Sequence, residues 1–205
     1  MERLRDRQRA QVRADIRRAA FRLFIERGYD AVTTEEIAAS AGVSPRTFFR
    51  HVPAKEELLL APVRHGGAAI VSLLEKRPTA EPPDVALLNA ILARTRSFEP
   101  ADCEEWRAAL QVAPDLLSKA SVHTPSDRDR AIKLVAERMG INPDTDIRAG
   151  LLVQLAFAAA DFAFQQWVRQ CASSRPLDRY VTEALEAVKS TYWSHPAPAG
   201  RRRDG

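Results

Sequence analysis

Apolar residues recur every three or four positions along most of this chain, which is the spacing of one buried face of an α-helix. The pattern predicts two short helices within 33–52 and longer ones over 10–27, 55–76, 85–98, 100–122 (one helix or two), 124–139, 146–172 and 177–193. The segment 146–172 is apolar nearly all round, so it must be buried on several sides. The sequence therefore predicts an all-α fold of about nine helices.

The most informative stretch is 33–55, TTEEIAASAGVSPRTFFRHVPAK. Thr33 is placed to cap a first helix with Glu36 completing a capping box, and Gly42 offers the left-handed conformation that ends it. Ser44 then caps a second helix, with Pro45 in its first turn, where no amide donor is needed. These signals predict a helix-turn-helix. The outward side chains of the second helix are all hydrogen-bond donors, which suits a nucleic-acid groove: Arg46, Thr47, Arg50 and His51.

The run VSPRTFFRHVPAKEELL, preceded by AAFRLFIERGYDAVTTEEIAASAG, resembles the DNA-binding domain of the TetR (tetracycline-repressor) family of transcriptional regulators. The resemblance covers about the first sixty residues and implies an all-helical homodimer that binds operator DNA and usually releases it when a small molecule binds. The chain departs from the family pattern at three positions. Phe49 stands where the family often has a Tyr whose hydroxyl can bind a phosphate, and Val52 stands where the family usually has Phe. Ala54 stands where Ser or Thr commonly caps the next helix.

Three domains are predicted on this basis: residues 1–54 as an N-terminal three-helix DNA-binding domain, 55–195 as a helical regulatory and dimerisation domain, and 196–205 as a disordered tail. Arg46 and Thr47 are expected to contact bases, while Thr34, His51 and Lys55 are expected to hold phosphates of a near-palindromic operator. The full set of predicted DNA-binding residues is Thr34, Ser44, Pro45, Arg46, Thr47, Phe49, Arg50, His51 and Lys55.

The charge distribution supports a nucleic-acid partner at the N-terminal end. The formal net charge is only +4, but the first 22 residues hold eight arginines against three acidic residues. Residues 61–200 are almost balanced, with sixteen basic and seventeen acidic residues. Phosphate attraction depends on such an asymmetry more than on the total charge. The basic segment 1–9 and the arginines at 201–203 are either DNA contacts or solvated ends.

Other classes of function find little support. The four histidines, His51, His65, His123 and His195, are scattered without metal-ligand spacing, and there is no glycine-rich phosphate loop or nucleophile elbow. An enzyme is therefore disfavoured, and no cofactor is expected. The charged N-terminus does not resemble a signal peptide, and Cys103 and Cys171 have no metal or redox spacing, so a cytoplasmic protein with reduced thiols is expected.

The regulatory region is expected to bind a lipophilic effector with one or two polar groups. Aromatic and apolar residues are its predicted lining, with Asp161, Gln154 and Gln165 supplying polar contacts. The predicted ligand-binding set is Phe98, Trp106, Leu110, Met139, Gln154, Phe157, Asp161 and Phe164. The same residues are equally suited to filling a core. A fully filled core favours the alternative, a DNA-binding regulator with no small-molecule inducer.

Dimerisation and signal transmission are assigned to particular helices. The last two helices of each subunit are expected to form a four-helix bundle. Its predicted interface residues are Ala156, Ala159, Ala163 and Trp167. The effector cavity is expected to border the helix over 55–76. Pro62 and Gly66-Gly67 within that helix predict a hinge between the DNA-binding and regulatory parts.

Overall fold

The structure is a computed structural model of the chain and describes residues 2–98, 100, 102–119, 123–170 and 175–190. Within these residues it contains eleven α-helices and no strand. They are α1 (Glu2–Arg27), α2 (Thr34–Ser40), α3 (Pro45–His51), α4 (Glu57–Leu60), α5 (Gly66–Glu75), α6 (Pro83–Arg96), α7 (Cys103–Gln111), α8 (Pro114–Lys119), α9 (Pro125–Met139), α10 (Arg148–Arg169) and α11 (Leu177–Val188). The predicted all-α class is confirmed. The count exceeds nine because the 55–76 and 100–122 segments each form two helices.

The helix-turn-helix forms as its end signals predict. Thr33 Oγ1 accepts from the Glu36 amide at 3.2 Å, and the Glu36 carboxylate accepts from the Thr33 amide at 2.8 Å. Gly42 has φ +67°, a left-handed conformation that glycine adopts without a steric cost. Ser44 caps α3, and Pro45 is its first residue. Each of these contacts spans at most three residues, so the local sequence suffices to specify them.

The first helix is longer than predicted. Apolar periodicity starts it near residue 10, whereas α1 begins at Glu2. Arginine and glutamine have high intrinsic helix propensity, so a helix nucleated by its buried turns extends through a polar segment at little cost. The basic segment 1–9 is therefore helical from Glu2 onward, and its predicted contact with DNA remains a prediction.

The predicted helix over 55–76 is interrupted rather than continuous. It consists of the single turn α4 and the longer α5, separated by turns over residues 61–65. Pro62 has no amide hydrogen and cannot continue the helical hydrogen-bond ladder, which accounts for the break. Glu56, at the N-cap of α4, makes no side-chain capping bond, in keeping with the missing Ser or Thr at Ala54.

The regulatory helices follow the predicted order with small shifts of their ends. Thr124 and Asp127 form a capping box at the start of α9, and Gly140 ends that helix at φ +65°. Helix α10 is buried along most of its length against α9 and α11, as its apolar composition predicts. The final helix is described to Val188. Residues 191–193 of its predicted span, the predicted tail at 196–205, Cys171 and His195 lie outside the described residues.

The DNA-binding and regulatory parts share one continuous apolar core. Its buried side chains run from Ile16 in α1 to Leu185 in α11. Helix α1 packs against α7, and Arg17 Nη2 lies 3.4 Å from Asp102 Oδ2 at the start of α7. The regulatory helices therefore contact the DNA-binding helices directly.

The proposed dimer residues on α10 need correction. Ala156, Ala163 and Trp167 are buried within the protomer, and Ala159 is only 8% exposed. A different apolar stripe of the same helix and its N-cap faces outward, with Ile147 73%, Leu151 52% and Phe162 60% exposed. Small and aromatic residues pack equally well inside a subunit or between subunits, so sequence spacing alone did not separate the two faces.

Helix α10 is also the one helix among the described residues that is long and apolar enough to cross a membrane by length and composition. Its most apolar 18-residue stretch is 56% buried by the surrounding helices. The core helix of a globular protein has the same composition, and the burial of α10 fits that role.

Candidate nucleic-acid interface and effector cavity

The recognition helix α3 presents its predicted DNA-binding side chains at the surface. Ser44, Pro45, Arg46, Phe49 and Arg50 are exposed, while Thr34, Thr47, His51 and Lys55 are partly buried. Helix α3 packs on the core through the fully buried Phe48 and ends at His51, with the extended Val52 as its C-cap ahead of Pro53. The structure thus brings all nine predicted residues to one end of the molecule.

The exposed arginines of α3 remain available to an external partner. Among the described residues, neither the Arg46 nor the Arg50 guanidinium forms a hydrogen bond or ion pair. Thr47 is less free, because Ser44 Oγ donates to its hydroxyl at 3.0 Å and accepts from its amide at 3.2 Å. Phe49 is 48% exposed, and a bare aromatic ring on this face suits contact with a thymine methyl group.

A cationic groove between α1 and α3 enlarges this surface. It is lined by Gln8, Arg9, Val12 and Arg13 of α1 together with Arg50 and His51 of α3. Partial burial and the charges of Arg50, Arg13 and Arg9 hold the pKa of His51 below its ordinary value. Among the described side chains the lining includes no carboxylate, so the groove favours an anion such as a DNA phosphate. Sequence analysis missed Arg13, although its four-residue spacing from Arg9 puts both on one helix face.

Lys55 was predicted to bind a DNA phosphate, but in the structure its side chain binds backbone carbonyls of the protein. Its Nζ donates to the carbonyls of Tyr29 at 2.9 Å and Val32 at 2.8 Å, and it lies 4.1 Å from the centroid of the Tyr29 ring. Two of its three protons are therefore used to fix the connection between α1 and α2. Its predicted contact with a phosphate remains a prediction and has one proton left to make it.

A small cavity lies inside the regulatory part, bordered by α5, α6, α10 and α11. Its volume is about 40 Å³, which holds a few water molecules at most. Four of the eight predicted ligand-binding residues line it: Phe98, Phe157, Asp161 and Phe164. The other lining residues are Val63, Ile70, Ile91, Arg94, Thr95, His123, Ala160, Leu177 and Val181. Val63 and Ile70 place the cavity against the 55–76 segment, as predicted.

The other four predicted ligand-binding residues lie elsewhere. Trp106 and Leu110 are fully buried in α7, Met139 packs partly buried at the end of α9, and Gln154 is exposed on α10. Helical periodicity predicts which face of a helix turns inward. It does not predict which stretch of that face meets a cavity rather than a filled core or solvent.

The polar groups of the cavity are mostly ones that sequence analysis did not select. His123 Nδ1 lies 3.6 Å from Asp161 Oδ2, and Arg128 Nη2 lies 3.1 Å from His123 Nε2. The His123 and Phe157 rings pack against each other at 4.4 Å between centroids, tilted by 38°. Burial lowers the pKa of His123, and Asp161 only partly opposes that effect. Arg94 and Thr95 add a cation and a hydroxyl from α6.

An aromatic cluster connects this cavity to the DNA-binding part. Phe98 and Phe164, both in the lining, lie 5.7 Å and 6.2 Å from the Trp106 ring between centroids. Trp106 Nε1 donates to the carbonyl of Leu59 in α4 at 2.9 Å. Helix α4 follows directly after the recognition helix. A displacement of the cavity wall therefore has a packed route to the helix-turn-helix.

Comparison with known proteins agrees with both parts of the fold. Residues 16–61 match the family of bacterial regulatory proteins of the tetR type, and residues 81–192 match the MftR C-terminal domain of that family's regulators. The chain belongs to the TetR family. It is 31% identical over 195 residues to the HTH-type transcriptional regulator TcmR of Streptomyces glaucescens, covering 91% of this chain and 86% of TcmR.

Two further proteins with lower sequence identity are also similar to this chain, one in sequence and one in fold. The HTH-type transcriptional activator FasR of Mycolicibacterium smegmatis is 24% identical over 179 residues, covering 85% of this chain and 78% of FasR. The fold matches that of native NalD from Pseudomonas aeruginosa with a TM-score of 0.57 at 19% identity, covering 88% and 96% of the two chains. This TetR-family protein is a DNA-binding transcriptional regulator and not an enzyme. Regulators of this family bind operator DNA and dimerise.

Proposed function

We propose that this regulator binds a near-palindromic operator as a homodimer in the cytoplasm, represses transcription there, and releases the operator when a lipophilic small molecule enters the cavity. The supporting observation is the packed path from the cavity wall through Phe98 and Phe164 to Trp106 and the Leu59 carbonyl. A ligand shifts DNA affinity only by preferring one conformation over another. This path supplies the mechanical link through which such a preference reaches α3.

The cavity must enlarge to accept an effector. Sites for small molecules measure about 300–1,000 Å³, far more than the 40 Å³ present. Effector entry therefore requires α6 to separate from α10 or α11, and this rearrangement is the signal. Apolar side chains dominate the lining. The hydroxyl or phosphate groups of a highly polar molecule would therefore lack hydrogen-bond partners there. A lipophilic effector with one or two polar groups fits best.

At the operator, we assign base contacts to Arg46 and Thr47 and phosphate contacts to Thr34, His51 and Lys55. Replacing Arg46 with Ala should cost about 1–3 kcal/mol of binding free energy and relax sequence preference. Because Lys55 also holds backbone carbonyls, Arg13→Ala is the cleaner phosphate test: it should weaken all sequences alike and lower the salt slope by about one. If Arg13→Ala changed specificity and Arg46→Ala did not, the two assignments would be exchanged.

The outward stripe of α10 supports the dimer. Ile147, Leu151 and Phe162 expose apolar surface on α10 and its N-cap, in keeping with a four-helix bundle of α10 and α11 from two subunits. Two-fold symmetry then places the α3 helices in successive major grooves, about 34–36 Å apart or a multiple of that distance.

The small volume of the cavity also favours a second candidate, a regulator that answers to no small molecule. One experiment separates the two. Genomic fragments retained by the protein are sequenced to define the operator, and release of a labelled operator is followed by fluorescence anisotropy across a library of lipophilic compounds. The proposal expects release by at least one compound, with release lost when Phe164→Trp fills the cavity. Release that persists in Phe164→Trp would locate the effector outside this cavity, whereas no release by any compound favours the second candidate.

A further inference from the structure

Arg94 places a positive charge at the wall of the effector cavity. It lies in the last turn of α6, three residues after Ile91, so both lie on one face of the helix. Phe98 follows just after the helix end, and all three side chains line the cavity. The guanidinium carbon of Arg94 is 5.0 Å from the centroid of the Phe98 ring. A cation–π contact of this kind orients the guanidinium along the aromatic wall.

This arginine differs from the other arginines packed inside the regulatory part. Arg107 donates to the carbonyls of Trp167 and Gln170, and Arg138 donates to those of Leu74 and Arg77. Among the described residues, the Arg94 guanidinium has no hydrogen-bond or ion-pair partner. Burial lowers its pKa, because the charged form loses water without gaining a counter-ion.

The opposite wall does not neutralise this charge. Asp161 Oδ2 lies 3.6 Å from His123 Nδ1, and Asp161 forms no ion pair with Arg94. Most of the remaining lining is apolar, including Ile70 and Val181. Within the described part of the chain, the cavity therefore combines largely apolar walls with the Arg94 cation, which has no anionic partner there.

We propose that Arg94 binds the carboxylate of the effector, which is therefore a lipophilic acid. The inference rests on the proposed function and narrows the effector to a chemical class. A guanidinium holds a carboxylate through two parallel hydrogen bonds, and such a pair is strongest away from water. A neutral lipid of the same shape would displace water from the Arg94 guanidinium without pairing its charge. This cost makes the cavity bind the neutral lipid less tightly than the acid.

The test compares acids with matched neutral compounds. Binding of decanoate and decan-1-ol, and of 2-naphthoate and 2-naphthalenemethanol, is followed at neutral pH by tryptophan fluorescence, since Trp106 packs against the lining residues Phe98 and Phe164. At least one acid should bind about tenfold or more tightly than its neutral partner. Arg94→Met should remove that advantage and leave binding of the alcohol unchanged. Arg96→Met, an exposed position in the same helical turn outside the lining, is the matched control and should change neither.

Three results would overturn the inference in distinguishable ways. Equal binding of acid and alcohol refutes the charge recognition but leaves a lipophilic effector in place. Failure of all four compounds to bind refutes the cavity as the effector site, while operator binding in the same samples shows that the regulator is intact. A melting temperature several degrees lower in ligand-free Arg94→Met than in Arg96→Met assigns Arg94 to the stability of α6 instead. The inference expects an unchanged or higher value.

Discussion

The hydrogen bond between Trp106 and α4 makes a quantitative prediction about stability. Trp106 is fully buried, and its Nε1 donates to the Leu59 carbonyl at 2.9 Å. The helical ladder is broken here, because Pro62 has no amide hydrogen and the Val63 amide donates to Leu60 instead. Among the described residues the indole is the donor that satisfies the Leu59 carbonyl. Trp106→Phe removes this donor and leaves the carbonyl buried.

The expected cost has two parts. An unsatisfied buried carbonyl costs about 1–3 kcal/mol. The smaller ring leaves roughly 40 Å³ of lost volume, worth about 1 kcal/mol at ~24 cal/mol per Å³. The variant should therefore lose about 2–4 kcal/mol of unfolding free energy. For a chain of about this length that corresponds to a melting temperature lower by roughly 5–15 °C.

Trp167→Phe is the matched control for this prediction. Trp167 belongs to the same aromatic cluster, 6.3 Å from Trp106 between ring centroids, but its indole nitrogen donates no hydrogen bond within the described part of the chain. Both variants lose the same ring volume, and urea unfolding measures the difference between them. Trp106→Phe should be the less stable by about 1–3 kcal/mol. Equal stability of the two variants would refute the role of the hydrogen bond, and the proposed route from the cavity to α4 would lose its main support.

Three further predictions address the link between the domains, the DNA surface and the dimer. Gly67→Ala should destabilise the protein by about 1–3 kcal/mol in a thermal unfolding assay, because the new Cβ would lie 2.5 Å from Asp127 Oδ2. Gly150→Ala is the control: its Cβ would meet nothing within 4 Å, so this variant should be neutral or stabilising in the same assay. His51 has a pKa held below its ordinary value in the free protein, and a nearby phosphate should raise it. Operator affinity should therefore increase as the pH falls through the interval between the free and DNA-bound pKa values, and a pH titration by anisotropy should show this dependence flattened in His51→Gln. Leu151→Glu, at a residue 52% exposed in the protomer, should shift the molar mass in solution from dimer to monomer without unfolding the subunit; a variant that stays dimeric would exclude this stripe as the interface.

The packing around Gly67 suggests a different role for this residue from the predicted hinge. The sequence pairs Pro62 with two glycines and suggests flexibility. In the fold, Gly67 lets α5 approach the start of α9, where an added Cβ would lie 2.8 Å from the Cα of His123. Turning Asp127 away to make room would also break its capping bond to the Thr124 amide. The helix is interrupted at Pro62, as the structure shows, whereas Gly67 allows α5 to pack closely against the start of α9. The predicted hinge at the two glycines remains untested.

What the sequence by itself determined were features set by contacts within a few residues. The caps at Thr33 and Ser44 and the turn at Gly42 depend on neighbouring residues and suffice to define the helix-turn-helix, and Thr124 caps α9 in the same local way. The apolar period likewise determined the order of the helices and the burial of α10. Amphipathic segments must bury one face, and this requirement leaves a clear period in the chain.

Only the tertiary structure decided which side chains from distant helices meet. Lys55 meets the carbonyls of Tyr29 and Val32 instead of facing open solvent, and Arg94 turns into the cavity although it has the sequence context of a solvated charge at a helix end. The boundary between the cavity and the filled core, with Phe164 on one side and Leu110 on the other, also depends on how four helices pack. The physical reason is that helical periodicity fixes the inward face of each helix but not the position of its partners along that face. That position depends on the joint packing of the whole chain.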